Sequence, residues 1–434
     1  MKDYREVTAC VVDYGSFISL ADRLSEEYAK VYYYSPYEQE FQDIKLCVKG
    51  DGLERVRRLD EYLDPKKLAE IDLWIFPDIA FGGLQKHLRD DCGKAVWGAF
   101  GASDLELLRT KFLKTVEKLG LQVAPSVTCK GLSALAAYLK ENEDCWVKIN
   151  RFRENMETWH HVDYAHSQRM LEKLAITFGP LKEKVTFVVQ KTIPDAKEIG
   201  YDGWRSNGAY PSECFQGYEK KNELYLGSLR HWDELPDAVK AVNEAFGPKL
   251  DKYGYCNFWA AEIRWLSDEE FYFIDPTARM PGQTGEQTLE TLDNAPELIW
   301  KAANGENIPP LFNTEAAAEA TIHYTAGDPE DWKTIAIPEA VRKWVKLYHY
   351  CEADGLYHFP PHKSDELGVL IGTGQTVKES IDNLKEHAQL LEKEPISMRM
   401  EGFVELLSDI AAAEKEGMKF TDEKLPAPES VLTT

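Results

Sequence analysis

The stretch that most constrains this chain is Tyr255–Glu286, YCNFWAAEIRWLSDEEFYFIDPTARMPGQTGE. Asn257 to Leu266 is rich in aromatic and apolar residues. Ser267 to Glu270 is a polar turn, and Phe271 to Asp275 is a second apolar run stopped by Pro276, which together read as a β-hairpin. A turn centred between Asp268 and Glu269 sets Leu266 opposite Phe271 and Glu262 opposite Asp275. Directly opposed side chains share a face, with Cβ atoms roughly 4.5–5.5 Å apart, and like charges there repel. A divalent cation between the carboxylates removes the repulsion. Thr277 and Arg279 follow at two-residue steps on the same face. Two carboxylates, a hydroxyl and a guanidinium then converge, a set suited to Mg²⁺ and phosphate. On this reading Asp275→Asn relieves repulsion and leaves the metal-free protein at least as stable. A solvated face with unrelated charges explains the spacing equally well, because a turn one residue longer breaks the register.

The chain has 434 residues, a prior for about three domains. Lys and Arg number 51 against 74 Asp and Glu, for a formal net charge of −23. No long basic run occurs, which argues against general nucleic-acid or anionic-membrane partners. The eight cysteines are scattered singly, with no C-x-x-C pair and no zinc spacing, so reduced thiols and a cytoplasmic location are expected. The segment MKDYREVTACVVDYG lacks a signal-peptide layout, and no uncharged apolar run reaches membrane-spanning length.

From Glu6 to Trp97, short apolar runs alternate with helical patterns: strands at Glu6–Asp13, Lys30–Tyr34, Ile71–Pro77 and Ala95–Trp97, and helices at Ile18–Ala29 and after Gly82-Gly83. This alternation predicts a Rossmann-like parallel sheet over 1–120. Ligands bind outside the carboxyl ends of such strands, so Asp13–Ser16, Asp78–Gly83 and Gly101–Ser103 are candidate substrate loops. Their glycines serve tight turns equally well. No G-x-G-x-x-G is present, so a nicotinamide dinucleotide site is not expected. One helix is predicted over Ser103–Gly120, carrying Lys111.

Beyond Pro125, a helix is predicted at Ser133–Lys140 and strands at Asp144–Asn150 and Lys184–Gln190. Lys148 stands between Val147 and Ile149, where a lysine needs an anionic partner or an open edge. The adjacent His160 and His161 point opposite ways on a strand and are read as incidental. Ser206–Asn222 reads as loop, and Leu235–Tyr253 and Thr288–Ala303 as helices. Strands at Ala318–Tyr324, Val341–Tyr350 and Gly368–Ile371 suggest a small α+β domain over 311–415. Thr376–Glu379 is a capping box opening a helix to Lys393. The polar tail, 416–434, is expected to be mobile.

The chain has no P-loop, no protein-kinase signature set and no G-x-S-x-G elbow. What remains is an ordered set: Lys111, Lys148, the VVQKTI strand end, Glu198, Glu262, Asp275, Thr277 and Arg279. This order resembles the ATP-grasp superfamily of carboxylate–amine ligases. FYFIDPTARMPG is similar to its metal strand, where Glu-x-Asn-x-Arg is usual; WVKIN is similar to its lysine strand; FVVQKTI is similar to the strand entering the adenine hinge. The layout most resembles the phosphoribosylamine–glycine ligases (glycinamide ribonucleotide synthetases), through GAFGASDLELLRTKFLKTVEKLGLQVAP and, more distantly, AGDPEDW and LGVLIGTGQTVKESIDNLKEHAQL. It covers roughly residues 1–395. Asp275 and Thr277 replace the usual Glu and Asn. RFRENMET stands where a glycine-rich loop is usual, and VVDYGSFIS replaces a glycine-rich opening.

The resemblance implies an ATP-grasp domain over 121–310, with its small lobe at about 121–192. It implies ATP and Mg²⁺ (or Mn²⁺) as cofactors, and a small carboxylate and an amine as substrates, joined through an acyl phosphate. Lys111 and Lys148 would neutralise phosphates. Gln190, Lys191 and Ile193 would border adenine, and Glu198 would hold the ribose. Glu262, Asp275 and Thr277 would bind metal. Arg279, with Lys148, would act on the transferring phosphoryl group, and Arg264 is a second candidate for that role. Glu286 is either a further ligand or an ordinary helix N-terminal acid. The altered loop and metal strand leave open a non-catalytic nucleotide-binding or structural protein that keeps the fold.

Overall fold

The computed structural model describes residues 1–36, 49–61, 64–151, 158–282, 284–328, 331–361 and 365–431. The first sheet is parallel, in the order β3-β2-β1-β4-β5. Its strands are β1 (Thr8–Val12), β2 (Lys30–Tyr34), β3 (Val56–Arg58), β4 (Leu73–Ile75) and β5 (Ala95–Trp97). Helices α1 (Ile18–Leu24), α2 (Pro65–Glu70) and α3 (Gly82–Asp90) accompany it. The runs ACVV and LWI are buried throughout, as strands covered on both faces require. The loops after β1, β4 and β5 meet. Tyr14 stacks on Phe81 with ring centroids 5.0 Å apart, and a Cβ on Gly82 would lie 2.6 Å from the Phe100 carbonyl oxygen. Glycine is therefore required at 82 by close approach.

The predicted helix over Ser103–Gly120 is two helices, α4 (Ser103–Leu107) and α5 (Arg109–Lys118). Leu108 leaves the helical region with φ −120° and ψ 81°, so the two segments do not share one helical phase. A small lobe follows, with β6 (Ser126–Lys130), α6 (Leu132–Leu139), β7 (Cys145–Ile149), β8 (Thr158–His161), α7 (Tyr164–Phe178) and β9 (Thr186–Lys191). Its antiparallel sheet has the order β6-β9-β7-β8. Leu135, Val147, Leu174 and Phe187 centre a core that is separate from the rest of the molecule.

The largest sheet runs β14-β13-β10-β11-β12-β15-β20-β17, with β21 beside β15. It contains β10 (Lys197–Arg205), β11 (Glu213–Lys220), β12 (Leu224–His231), β13 (Asn257–Trp265), β14 (Phe271–Thr277), β15 (Ala316–Tyr324), β17 (Val345–Leu347), β20 (Glu366–Gly374) and β21 (Ile396–Ser397). The sheet thus continues across residue 310. A smaller sheet joins β16 (Lys333–Ile335), β18 (Cys351–Ala353) and β19 (Leu356–Phe359). Helix α8 (Asp237–Tyr253) buries Val239, Val242, Phe246 and Leu250 and packs against β10 and β13. Helices α9 (Thr284–Thr291), α10 (Ala295–Ala303), α11 (Glu339–Arg342), α12 (Val377–Gln389) and α13 (Gly402–Lys415) complete the described elements.

Four expectations are corrected. Ser206–Asn222 is not loop: its ECFQGYEK run is strand β11, returned to β12 by a turn at Asn222 with φ 57°. Val341–Tyr350 is not one strand, since α11 occupies its start and only Val345–Leu347 pairs, with β20. The tail is not free. Met418, Phe420 and Val431 are buried, and Arg230 bonds Asp422 at 2.9 Å, so apolar burial fixes what composition alone read as solvated. Cys351 is disulfide-bonded, whereas six other described cysteines are free. Among the described residues no helix is long and apolar enough to cross a membrane.

Behind the hairpin, the buried Phe273 ring meets Phe112 of α5 and Phe246 of α8 edge-on, each with centroids 5.0 Å apart. Such pairs contribute about 0.5–1.5 kcal/mol each beyond area burial. Phe273→Leu should therefore lower unfolding stability by about 1–3 kcal/mol in a denaturant titration. A loss under about 0.5 kcal/mol would mean that this cluster does not fix α5 to the hairpin.

Candidate active site

The hairpin turn is one residue longer than expected. Leu266 N donates to Glu270 O at 3.0 Å, and Trp265, not Leu266, faces Phe271. The register then shifts between Glu262 and Ile263, leaving Ile274 without an opposed partner, and Glu262 lies opposite Asp275 after all. A bulge absorbs one residue and re-aims the side chains beyond it. Here it restores the pairing that the longer turn would have lost.

Three elements meet at Asp275. Arg109, the first residue of α5, donates from Nη1 to Asp275 Oδ2 at 2.7 Å, and Lys148 of β7 reaches the same oxygen at 3.4 Å. Arg109 is fixed further by Nε to the Ile149 carbonyl and Nη2 to Thr158 Oγ1, both 3.3 Å. Both cationic side chains are 7% exposed, and that of Asp275 is 24% exposed. Burial holds the Lys148 ammonium below the ordinary lysine range; Asp275 offsets part of this, and Arg109 adds to it. The anionic partner that the sequence demanded for Lys148 is therefore Asp275.

A cavity of about 340 Å³ opens between the small lobe and the hairpin. Lys148, Gln190, Lys191, Ile193, Glu198, Glu262 and Asp275 line it, together with Trp146, Thr158, Glu219, Lys221, Arg264 and Ile274. At the end of β9, Lys191 N donates to Pro125 O at 2.9 Å and Thr192 N to Asp144 O at 3.3 Å. Glu198 bonds Arg264 at 2.5 Å, and Arg264 stands 3.9 Å from Glu262. Burial and the Glu262 charge push Glu198 up to about 8. Glu219, near the end of β11, is exposed. A second cavity of about 90 Å³ shares Glu198, Glu219 and Glu262 and adds Asp202, Gly217, Tyr225, Thr277 and Pro281.

Three expected residues stand elsewhere. Lys111 pairs with Asp104 at 2.5 Å and is not on the wall of either cavity, because the break at Leu108 turns Arg109 inward instead. Thr277 lines the smaller cavity only. Arg279 is held by Glu106 at 3.0 Å and lies 3.8 Å from Asp78. Glu106 also accepts from Ala278 N at 2.9 Å. This places Arg279 at the seam with the parallel sheet, outside both cavities. The replaced glycine-rich loop falls mostly at 152–157, outside the described residues. Sequence reasoning missed Arg109, Glu219 and Lys221; an arginine two positions before Lys111 was the available signal for the first.

Among the described residues no group of three or more His, Cys, Asp or Glu is arranged to hold a metal ion. Mg²⁺ needs less here, since it commonly takes one or two carboxylates, several waters and substrate phosphates. Glu262 and Asp275 fit that smaller requirement. The cavity, with apolar Ala124, Trp146, Ile193 and Ile274 at one side and Lys148 at the other, fits a nucleotide.

No family model and no curated protein matches the sequence. Solved structures do match. Phosphoribosylamine–glycine ligase from Thermotoga maritima superposes with a TM-score of 0.62 at 16% identity, over 90% of this chain and 99% of that one. The biotin carboxylase domain of Hydrogenobacter thermophilus 2-oxoglutarate carboxylase, in complex with MgADP, gives 0.63 at 13% over 95% and 96%. L-amino acid ligase from Bacillus licheniformis gives 0.56 at 13% over 90% and 98%. The fold is that of the ATP-grasp ligases. At these identities the likeness is one of fold. Within the ATP-grasp frame, the matches span nearly the full length of each ligase, so the parallel sheet, small lobe and long sheet belong to one shared architecture.

Proposed function

We propose that this chain is an ATP- and Mg²⁺-dependent carboxylate–amine ligase of the glycinamide-ribonucleotide-synthetase type, forming an amide through an acyl phosphate. The observation that carries this reading is the convergence of Arg109 and Lys148 on Asp275 at the wall of the 340 Å³ cavity. Two buried cations beside two carboxylates are suited to a phosphate chain with its metal. Gln190, Lys191 and Ile193, which line the cavity, would border adenine, and Glu198 would hold the ribose hydroxyls. Glu262 and Asp275 would hold Mg²⁺, which when bound offsets phosphate charge. A substrate carboxylate oxygen attacks the γ-phosphorus and ADP leaves. The amine nitrogen then attacks the acyl carbon, phosphate leaves, and the nitrogen loses its proton. Lys148 and Arg109 position and neutralise the phosphates throughout, which is most of what such chemistry asks of a protein.

The second reading is a nucleotide-binding protein without turnover. The engagement of Asp275 Oδ2 by both cations favours it. Thermal midpoints with Mg·ATP, and Mg·ATP-dependent phosphate release across a panel of small carboxylates and amines, decide between them. Lys148→Met should weaken Mg·ATP binding about 10- to 100-fold, the worth of a hydrogen-bonded charge. Undiminished binding would remove Lys148 from the site. Binding without phosphate release from any pair would leave the second reading.

A further inference from the structure

Two carboxylates are deeply buried, one on β15 and one on α9, which packs against it, and neither lines the nucleotide cavity. Glu286 is in the first turn of α9, and Glu319 is on β15 directly opposite Tyr225. They are 0% and 1% exposed, and neither oxygen of either has a hydrogen-bond partner. The neighbouring Gln287 is also 0% exposed, with both amide atoms unpartnered. Buried polar atoms are otherwise almost always satisfied, and exceptions ask for a cause.

The surroundings say what would satisfy them. Glu286 feels the charges of Lys346, Asp13 and Glu290. Glu319 feels those of Glu286, Asp202, Glu219 and Lys346. Lys346, the cation that both feel, is already bonded to Glu290, which Arg23 and Lys343 also approach, at 3.6 and 3.8 Å. The enclosure is therefore short of donors and of positive charge. A bare metal ion is not the answer, since no described carboxylate group has metal-holding geometry. A primary ammonium brings three donors and no acceptor. Neither glutamate lines a described cavity, but residues whose charges they feel line two. Asp202, Glu219 and Tyr225 line the 90 Å³ cavity that adjoins the nucleotide site. Glu290 and Lys346 help wall a polar cavity of about 440 Å³.

We propose that Glu286 and Glu319 form a binding subsite for a primary ammonium group carried by a small substrate. As a substrate subsite this rests on the ligase reading; as an ammonium site it does not. Burial lifts Glu286 to about 8 and raises Glu319 as well, favouring the neutral form of both in the absence of a cation. Taking up an ammonium draws them into the ionised form, and binding releases protons.

The test uses the full chain without nucleotide. 1,4-Diaminobutane, ethanolamine and glycine are titrated at constant ionic strength, with tetramethylammonium, which has no N–H, as control. The first two should raise the thermal midpoint where tetramethylammonium does not; a response to glycine as well would show that a zwitterion is accepted. Calorimetry near pH 7 in buffers of different ionisation enthalpy should show proton release. Glu319→Gln and Glu286→Gln should each weaken amine binding at least about tenfold. Responses equal to that of tetramethylammonium, or unchanged in both variants, would overturn the proposal and leave the carboxylates to buried water. The Mg·ATP response of the parent is read in parallel. An absent amine response beside an intact nucleotide response sinks the subsite alone, and the reverse pattern sinks the ligase reading alone.

Discussion

Asp275→Asn should destabilise the ligand-free protein by about 2–3 kcal/mol, the reverse of what two opposed carboxylates suggest. Viewed only as the partner of Glu262, Asp275 is a source of repulsion. In the folded chain it is engaged by Arg109 at 2.7 Å and Lys148 at 3.4 Å, both nearly fully buried. Removing the anion of a buried pair costs about 3–5 kcal/mol, and the partial exposure of Asp275 moves the figure below that range. On the ligase reading the same substitution removes a metal ligand. The parent should then be stabilised much more by Mg·ATP than by ATP alone, whereas Asp275→Asn should respond to both about equally. Phosphate release should fall on the order of 100-fold, comparable to losing one fixed electrostatic stabiliser. A ligand-free mutant as stable as the parent, or a mutant that keeps the parent's magnesium dependence, would refute the arrangement.

The second large effect is on stability against pH. Burial raises Glu286 to about 8 and Asp13 to about 6. An unfolded glutamate ionises near 4.3. Between these values the unfolded chain has released a proton that the folded chain retains, so stability falls as pH rises. For Glu286 the contribution is intact below about pH 4.5, declines through neutrality and is fully lost above about pH 8. Its total is on the order of 5 kcal/mol at 1.36 kcal/mol per unit. Denaturant titrations from pH 5 to 9 should show this decline, and Glu286→Gln, which carries no titrating group, should flatten it. An unflattened slope in the mutant would show that Glu286 is already ionised in the ligand-free fold.

The hairpin shows how far the chain could be read in advance. Alternation gave both strands. Pro276 does not stop β14, which continues to Thr277 because an edge strand tolerates a proline. Glu262 does lie opposite Asp275. The route was different, because turn length and bulge are set by local backbone fit and leave no pattern in residue type. Lys148 was legible for a simpler reason: a lysine between Val147 and Ile149 must find an anion. The resemblance implies Lys111, and nothing in residue type marks the break at Leu108, after which Arg109 opens α5. The Glu219–Tyr225–Glu319 row joins residues a hundred positions apart, and no local period encodes such pairing. The buried tail was missed because Met418, Phe420 and Val431 are isolated apolar residues in a polar segment.

The ion triad at Asp275 has a consequence for substrate affinity. The carboxylate occupies the position of a surrogate anion, so the small lobe's cation and that of α5 are never bare while the pocket waits. On the ligase reading, an incoming phosphate chain would not meet two naked charges; it would trade places with an internal counterion already in contact with both. The free energy of nucleotide uptake is then a difference between two similar contacts. Affinity should be moderate, release quick, and the response to added salt shallower than two buried cations would otherwise dictate.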